Sequence, residues 1–384
     1  MAALCASTLV LAACGGSGGG AGAPSGAAEG PVKLALLAST SQQDTFATPG
    51  QVEGAQFAVE TLNAAGGIDG RQVELTQYRM PADPNVASSN LLEAAGRKPA
   101  VMMGLPLSST AQTLASRVAQ LGVPFINFNA IPDAYKGSPS GSPWGFFMRS
   151  DNAATMQAGL AGFLRQHPDA KTAGLLCLGT ATGKDLCAGA QKALDAAGVR
   201  VVGTQAVNVD DTDFANQAVA MKGADVVVLT VTPAQVPTVA KALKNTGSEP
   251  LLFGSASVAA LPKDALPADI LPRLSGVVDC VPSSPTASAA TKDWAARFQT
   301  KYGFAPNFFA AESYDSVMVA AAAIRASGSG EPQAIATALA TMPSYEGICS
   351  TYQANDKQIL NKRSVIATYD AQGVLQTGEA VEIP

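Results

Sequence analysis

The feature that most constrains this chain is its cadence. Short apolar runs alternate with segments whose apolar residues recur at helical spacing. "VKLALLAS" (32–39) predicts a buried strand. Residues 49–67 predict a helix with Val52, Ala55, Phe57, Ala58, Val59 and Leu62 as its apolar positions and Gly66-Gly67 as its stop. A strand at 72–79, a helix at 83–97, a strand at 100–104, a helix at 108–122 and a strand at 123–129 follow. After "FFMRSD" (146–151) the cadence restarts with a helix at 153–166. Then come the strand "TAGLLCLG", the helix "KDLCAGAQKALDAAG", the strand "VRVVGTQAVN" and the helix "DFANQAVAMKG". "ADVVVLTV", "PAQVPTVAKALKNTG" and "PLLFG" repeat strand, helix, strand. Strands that alternate with helices imply parallel sheets covered on both faces. Two such runs predict an α/β protein of two doubly wound lobes, and 384 residues suit two cores better than one.

The remainder reads differently. "LSGVVDCVPSS" (274–284) predicts a strand running into a Pro/Ser loop. Helices are expected at about 287–303, 309–327 and 332–341, and "STYQAN" and "RSVIATYDAQG" look like paired strands. A helical block after the second lobe implies that the chain returns to the first.

Composition removes several function classes. Charged residues make up only 14% and the net charge is −5, with no basic block or basic–aromatic stripe, so nucleic acid is not an expected partner. The chain has one histidine, His167, in the polar stretch "RQHPDAK", where it reads as an exposed residue at a helix end. A single histidine argues against a Ser-His-Asp triad and rules out a His-rich metal site. No paired catalytic carboxylates stand out; neither catalysis, a metal nor a cofactor is expected. "GTATGKD" (179–185) falls short of a phosphate loop: three residues separate its glycines where four are needed, and Asp185 replaces the hydroxyl that binds Mg²⁺.

Residues 1–13 carry no charge and are too few to span a bilayer, which takes about 20 apolar residues. They read as the apolar part of an export signal, and "LAAC" (Leu11 to Cys14) resembles the lipobox of bacterial lipoproteins. That resemblance implies cleavage before Cys14 and a lipid on its thiol. No Lys or Arg precedes Lys33, a departure from the usual signal. The Gly/Ser-rich stretch 14–30 reads as a flexible tether. An exported protein keeps disulfides. With Cys5 and Cys14 set aside, Cys177, Cys187, Cys280 and Cys349 allow three pairings. Loop closure favours 177–187 with 280–349, and sequence alone does not choose.

The order of motifs from 50 to 111 resembles the first lobe of the leucine/isoleucine/valine-binding protein family, the class I solute-binding proteins of ABC importers. "AVETLNAAGGIDGRQVEL" (58–75) carries most of the likeness, followed by "DPNVA" and "GLPLSSTA" (104–111) in order. "FMRSDNAATMQ" (147–157) is similar to the family's passage into its second lobe, and "SYDSVMVAAAAI" (313–324) to its late helix. The resemblance spans roughly 32–384. It implies two Rossmann-like lobes joined by a three-crossover hinge, with lobe 1 at 31–148 plus 281–352 and lobe 2 at 149–280 plus 353–384. It implies a monomer that captures a small solute between the lobes and hands it to ABC permease subunits, held at the outer face of a bacterial membrane through the lipid on Cys14.

Carried over residue by residue, the family pattern puts the ligand carboxylate on Ser108, with Ser109 beside it. The "LSST" stretch, after a strand and opening a helix, suits an anion in its own right. Asn129 and Ala130 stand at the next strand end, where Ile131 replaces a family threonine. Phe46 stands in the first loop, where a tyrosine is common. On the second lobe the matching positions are Thr182, Thr232 and Ala256. Amino-acid binders carry an acid at the place of Ala256 to pair with the ligand ammonium. An unpaired ammonium in a closed cleft is costly, so the expected ligand is an organic acid, an amide or a small aromatic compound. An amino-acid ligand stays open if Asp44 substitutes for the missing acid. A ligand-sensing component on the same fold is a further alternative.

Overall fold

The computed structural model describes residues 30–40, 48–104, 114, 116–128, 142–261, 265–361, 363–370 and 372–383. The expected signal and nearly all of the tether lie outside these. Two sheets organise the described chain.

The first sheet has the order β2-β1-β3-β4-β5 and is parallel throughout. Its strands are β1 (Val32–Ser39), β2 (Val73–Met80), β3 (Val101–Gly104), β4 (Phe125–Asn127) and β5 (Gly145–Phe147). The period of two in β1 explains why helices cover both faces. Leu34, Leu36 and Ala38 point into one core, and Ala35 and Leu37 into another. The first core is closed by α1 (Thr48–Ala64); the second by α2 (Pro84–Gly96) through Ala87, Leu91 and Ala94. Asp83 starts α2 by accepting from Asn85 N and Val86 N, with Pro84 at the first helical position.

The second sheet has the order β14-β13-β10-β9-β8-β6-β7. Its parallel part comprises β6 (Thr172–Leu178), β7 (Arg200–Val207), β8 (Val226–Leu229), β9 (Leu251–Gly254) and β10 (Leu274–Val278). Val226 and Val228 enter the core beneath α3 (Asn152–Gln166) and α4 (Ala181–Ala197), while Val227 and Leu229 enter the core of α5 (Ala215–Ala220) and α6 (Val236–Asn245). His167 ends α3 half-buried rather than exposed, its ring centroid 4.3 Å from that of Phe163, and burial lowers its pKa.

After β10 the chain returns to the first core with α7 (Ala289–Tyr302), α8 (Phe308–Ser327) and α9 (Pro332–Thr341). Phe57, Trp294, Phe298 and Tyr314 pack there edge-on or tilted. α8 crosses α1 with almost no gap: a Cβ on Gly54 would stand 2.1 Å from the Ala310 carbonyl oxygen. A short hairpin of β11 (Tyr345–Glu346) and β12 (Thr351–Tyr352) precedes a last crossing, and β13 (Arg363–Tyr369) and β14 (Leu375–Glu382) finish the second sheet antiparallel. The chain thus passes between the sheets three times: after β5, after β10 and after β12.

One expected pairing is corrected. "STYQAN" and "RSVIATYDAQG" do not pair: Thr351–Tyr352 pairs with Tyr345–Glu346, and Arg363–Tyr369 pairs with β10 and β14. The residues between them carry the chain from one sheet to the other, so no shared edge exists. β5 and β14 leave no periodic signal in the sequence. β5 has three residues, and β14 is an edge strand with little buried surface to impose an apolar period. The structure joins Cys177 to Cys187 and Cys280 to Cys349, the pairing that loop closure favours.

Candidate functional site

In an open α/β sheet, the crevice forms beyond the carboxyl ends of the strands where the order reverses. The orders 2-1-3 and 7-6-8 put that point between β1 and β3 in one sheet and between β6 and β8 in the other. On the first sheet, β3 ends at Gly104 with φ +100°, and a Cβ there would stand 2.5 Å from the Leu37 carbonyl oxygen of β1. Only glycine fits that turn out of the sheet. The segment it leads into holds Ser108 and Ser109. These residues, with Phe46, Asn129, Ala130, Asp44, Ile131 and Cys14, lie outside the described residues.

On the second sheet the structure brings three expected positions to one edge. Thr182, Thr232 and Ala256 follow β6, β8 and β9, which are neighbours in the sheet. Thr182 is half-buried in the first turn of α4. Its neighbour Thr180 is the cap of that helix, accepting from Gly183 N at 3.1 Å. "GTATGKD" is therefore a capped helix start. Thr232 is half-buried, but its hydroxyl donates to Gln235 Oε1 at 3.0 Å. Gln235 in turn donates to the carbonyls of Asn208, Val209 and Asp211. Thr232 thus helps to brace a loop, and in this rotamer it has an acceptor rather than a donor to offer a ligand. Thr230 is buried and stitches β8 to β6, accepting from Leu178 N and donating to Leu176 O. Ala256 opens a 3₁₀ turn and packs against both the first-sheet core and the cluster of Val278, Val281 and Ala367. Ser255 and Ser257 flank it with their hydroxyl oxygens 3.4 Å apart. Ser255 to Ser257, directly after β9, therefore offer hydroxyls and no carboxylate.

Where the three crossings run together, the structure holds a polar cluster that the sequence reading missed. Arg149 Nε, just after β5, donates to Asp279 Oδ2, just after β10, at 2.8 Å; Ser364 of β13 donates to Asp279 Oδ1. Ser150 donates to the Asn361 carbonyl, tying the first crossing to the third. Asp315 of α8 accepts from Ile348 N, Cys349 N and the Tyr352 hydroxyl. Burial pushes Asp315 up to about 7 against those three bonds, which favour its ionised form. The available signal was two acids, Glu312 and Asp315, on a helix buried along most of its length.

A groove of about 630 Å³ opens at the opposite edge, beside the amino ends of β8 and β9, lined in part by His167, Lys222, Asp225 and Glu249. It is far from the switch point and has no part in the site. Among the described residues, no group of three His, Cys, Asp or Glu is placed to hold a metal, and no helix is long and apolar enough to cross a membrane.

Two doubly wound lobes, three crossings and a crevice at the strand ends define a two-lobed solute-binding protein. Residues 31–373 match the periplasmic binding protein family, and the chain belongs to it. Members of this family act outside the cytoplasm, bind small solutes and work with ABC permease components. A curated relative, the leucine-, isoleucine-, valine-, threonine- and alanine-binding protein of Pseudomonas aeruginosa, is 25% identical over 75% of this chain and 76% of its own. Among solved structures, the branched-chain amino acid transporter substrate-binding protein LivJ of Streptococcus pneumoniae, in complex with isoleucine, is 21% identical with a TM-score of 0.77, covering 92% of this chain and 100% of its own. An ABC transporter solute-binding protein of Rhodopseudomonas palustris, in complex with 3,4-dihydroxybenzoic acid, is 19% identical with a TM-score of 0.77, covering 92% and 98%.

Proposed function

We propose that this chain is a lipid-anchored, monomeric solute-binding protein whose ligand is a small carboxylate-bearing or polar compound lacking an α-ammonium. The reading takes 1–13 as signal and 14–30 as tether, with the lipid on Cys14. It takes 31–148 plus 281–352 as lobe 1 and 149–280 plus 353–384 as lobe 2. Ser108 and Ser109 receive the ligand carboxylate, with Phe46, Asn129, Ala130 and Thr182 around it. The protein has no catalytic step of its own. Ligand contacts made across both lobes favour the closed form, and an ABC permease takes the solute from it.

One observation carries the ligand class: Ser255, Ala256 and Ser257 follow β9, so no acid stands there to meet an ammonium. The two structural relatives described above hold isoleucine and 3,4-dihydroxybenzoic acid, so one scaffold accommodates carboxylates with and without that ammonium. The test is a thermal-shift and calorimetric screen of organic acids, benzoates, amides and amino acids. Stabilisation by an acid or amide without an amino group supports the reading. Stabilisation by leucine or valine alone returns the protein to amino-acid capture and refutes the argument from Ala256. Ala256→Asp is expected to weaken capture of an acid by adding a like charge beside it.

A further inference from the structure

The hinge cluster contains one group that none of the foregoing uses. Glu312, on α8, is 1% exposed, and neither of its carboxyl oxygens meets a hydrogen-bond donor. The group within hydrogen-bonding reach is the carboxylate of Asp279. Two carboxylates both accept; the contact becomes a bond only when one of them carries a proton.

The charges around Glu312 decide which one. Arg149, Asp279 and Asp315 act on it, and Tyr352 lies close enough to feel its charge. The neighbouring helix α1 brings Glu53 and Glu60, which act on Tyr302 instead. One guanidinium therefore meets two carboxyl groups, Asp279 and Glu312, and a third, Asp315, adds its charge to Glu312 in a buried site. Full ionisation would leave excess negative charge without solvent, which is strongly unfavourable. Asp279 already accepts from Arg149 and Ser364, and Asp315 from two backbone N–H groups and a phenol. Each of those bonds favours an ionised carboxylate. Glu312 has no such partner, and both burial and the adjacent Asp279 hold its pKa well above the ordinary value.

We propose that Glu312 is a positioning residue of the hinge and works as a neutral acid: its O–H donates to Asp279, holding that carboxylate between Arg149 and Ser364, and loss of the proton loosens all three crossings. Glu312 belongs to a helix of the first core; Arg149 and Asp279 stand on the first two crossings, and Ser364 stands at the start of β13, where the third crossing ends. The proton thus ties the body of one lobe to the hinge. Taking the crossings as the axis of lobe closure rests on the solute-capture reading, but the measurements below use no solute and succeed or fail apart from it.

The test compares the full chain with Glu312→Gln across a pH series. Glutamine keeps the shape and an N–H donor for Asp279, and it has no proton to lose. In the wild type the unfolded chain releases the Glu312 proton above about pH 4.5 while the folded chain retains it. Its contribution is fully present below that value and is lost as pH rises toward the folded-state pKa. Relative to Glu312→Gln, the wild-type folding constant should fall by up to about tenfold per pH unit through that window. Parallel pH profiles for the two proteins overturn the proposal. Infrared difference spectra give a second readout that does not depend on unfolding: a protonated-carboxyl band present at neutral pH and missing in Glu312→Gln is expected, and no such difference overturns it. The hinge role is read by hydrogen exchange of segments 149–151, 279–281 and 361–364. Exchange in the wild type should exceed that of Glu312→Gln increasingly as pH rises; equal exchange at every pH shows that the proton does not govern the hinge.

Discussion

The two disulfides make a quantitative contrast because they close loops of different length. Cys280 and Cys349 are 69 residues apart, and the loop they close contains α7, α8 and α9, the whole helical return to the first core. Cys177 and Cys187 are 10 apart, at the end of β6 and inside α4. Chain-entropy arithmetic gives about 4.4 kcal/mol for the long loop and about 2.7 kcal/mol for the short one at 25 °C. Cys280 and Cys187 are each 8% exposed and their partners Cys349 and Cys177 are each half-buried, so replacing each pair by alanine costs similar packing and the difference reports the loop. The double variant Cys280→Ala/Cys349→Ala should lose about 1.7 kcal/mol more than Cys177→Ala/Cys187→Ala, over tenfold in the unfolding constant. Urea unfolding followed by far-ultraviolet circular dichroism measures both. Tryptophan fluorescence gives a check by region, since Trp144 and Trp294 both pack in the first core, where Cys280 also lies. Equal costs, or a larger cost for the short loop, would refute the entropic account and make local packing the source of stabilisation.

Other outcomes follow from single contacts. Gly54→Ala should destabilise by about 1–3 kcal/mol because its Cβ would meet the Ala310 backbone. Gly96→Ala on α2, with nothing within 4 Å, should gain about 0.5–1 kcal/mol; thermal melts of the pair compare the two. Arg149→Ala strands the Asp279 carboxylate, which is 4% exposed, and should cost about 3–5 kcal/mol in denaturant titrations. Once a carboxylate ligand is identified, Ser108→Ala should weaken it by about 1–2 kcal/mol in calorimetry; unchanged affinity removes Ser108 from the site.

Local pattern revealed the scaffold. The alternation in "VKLALLAS" is the alternation of β1 between its two cores, and the Gly-Gly stop after 64 is where α1 ends. Asp83-Pro84 announced the start of α2. On the second lobe the site was legible only as places: Thr182, Thr232 and Ala256 do follow adjacent strands, but chemistry depends on rotamers and partners. Thr232 illustrates this, because its donor goes to Gln235, three residues on, in a brace that reaches back to Asn208.

By itself the sequence determined what depends on near neighbours in the chain: strand and helix periods, caps, turns and the parallel order they enforce. The tertiary structure decided what depends on residues far apart. Asp279 meets Arg149 across 130 positions and Ser364 across 85. The apolar run around Glu312 and Asp315 hints that both acids are buried, but it does not say what Glu312 meets. Only packing removes its water and sets it against another carboxyl, and desolvation by distant parts of the chain turns an ordinary glutamate into the proton carrier proposed for the hinge.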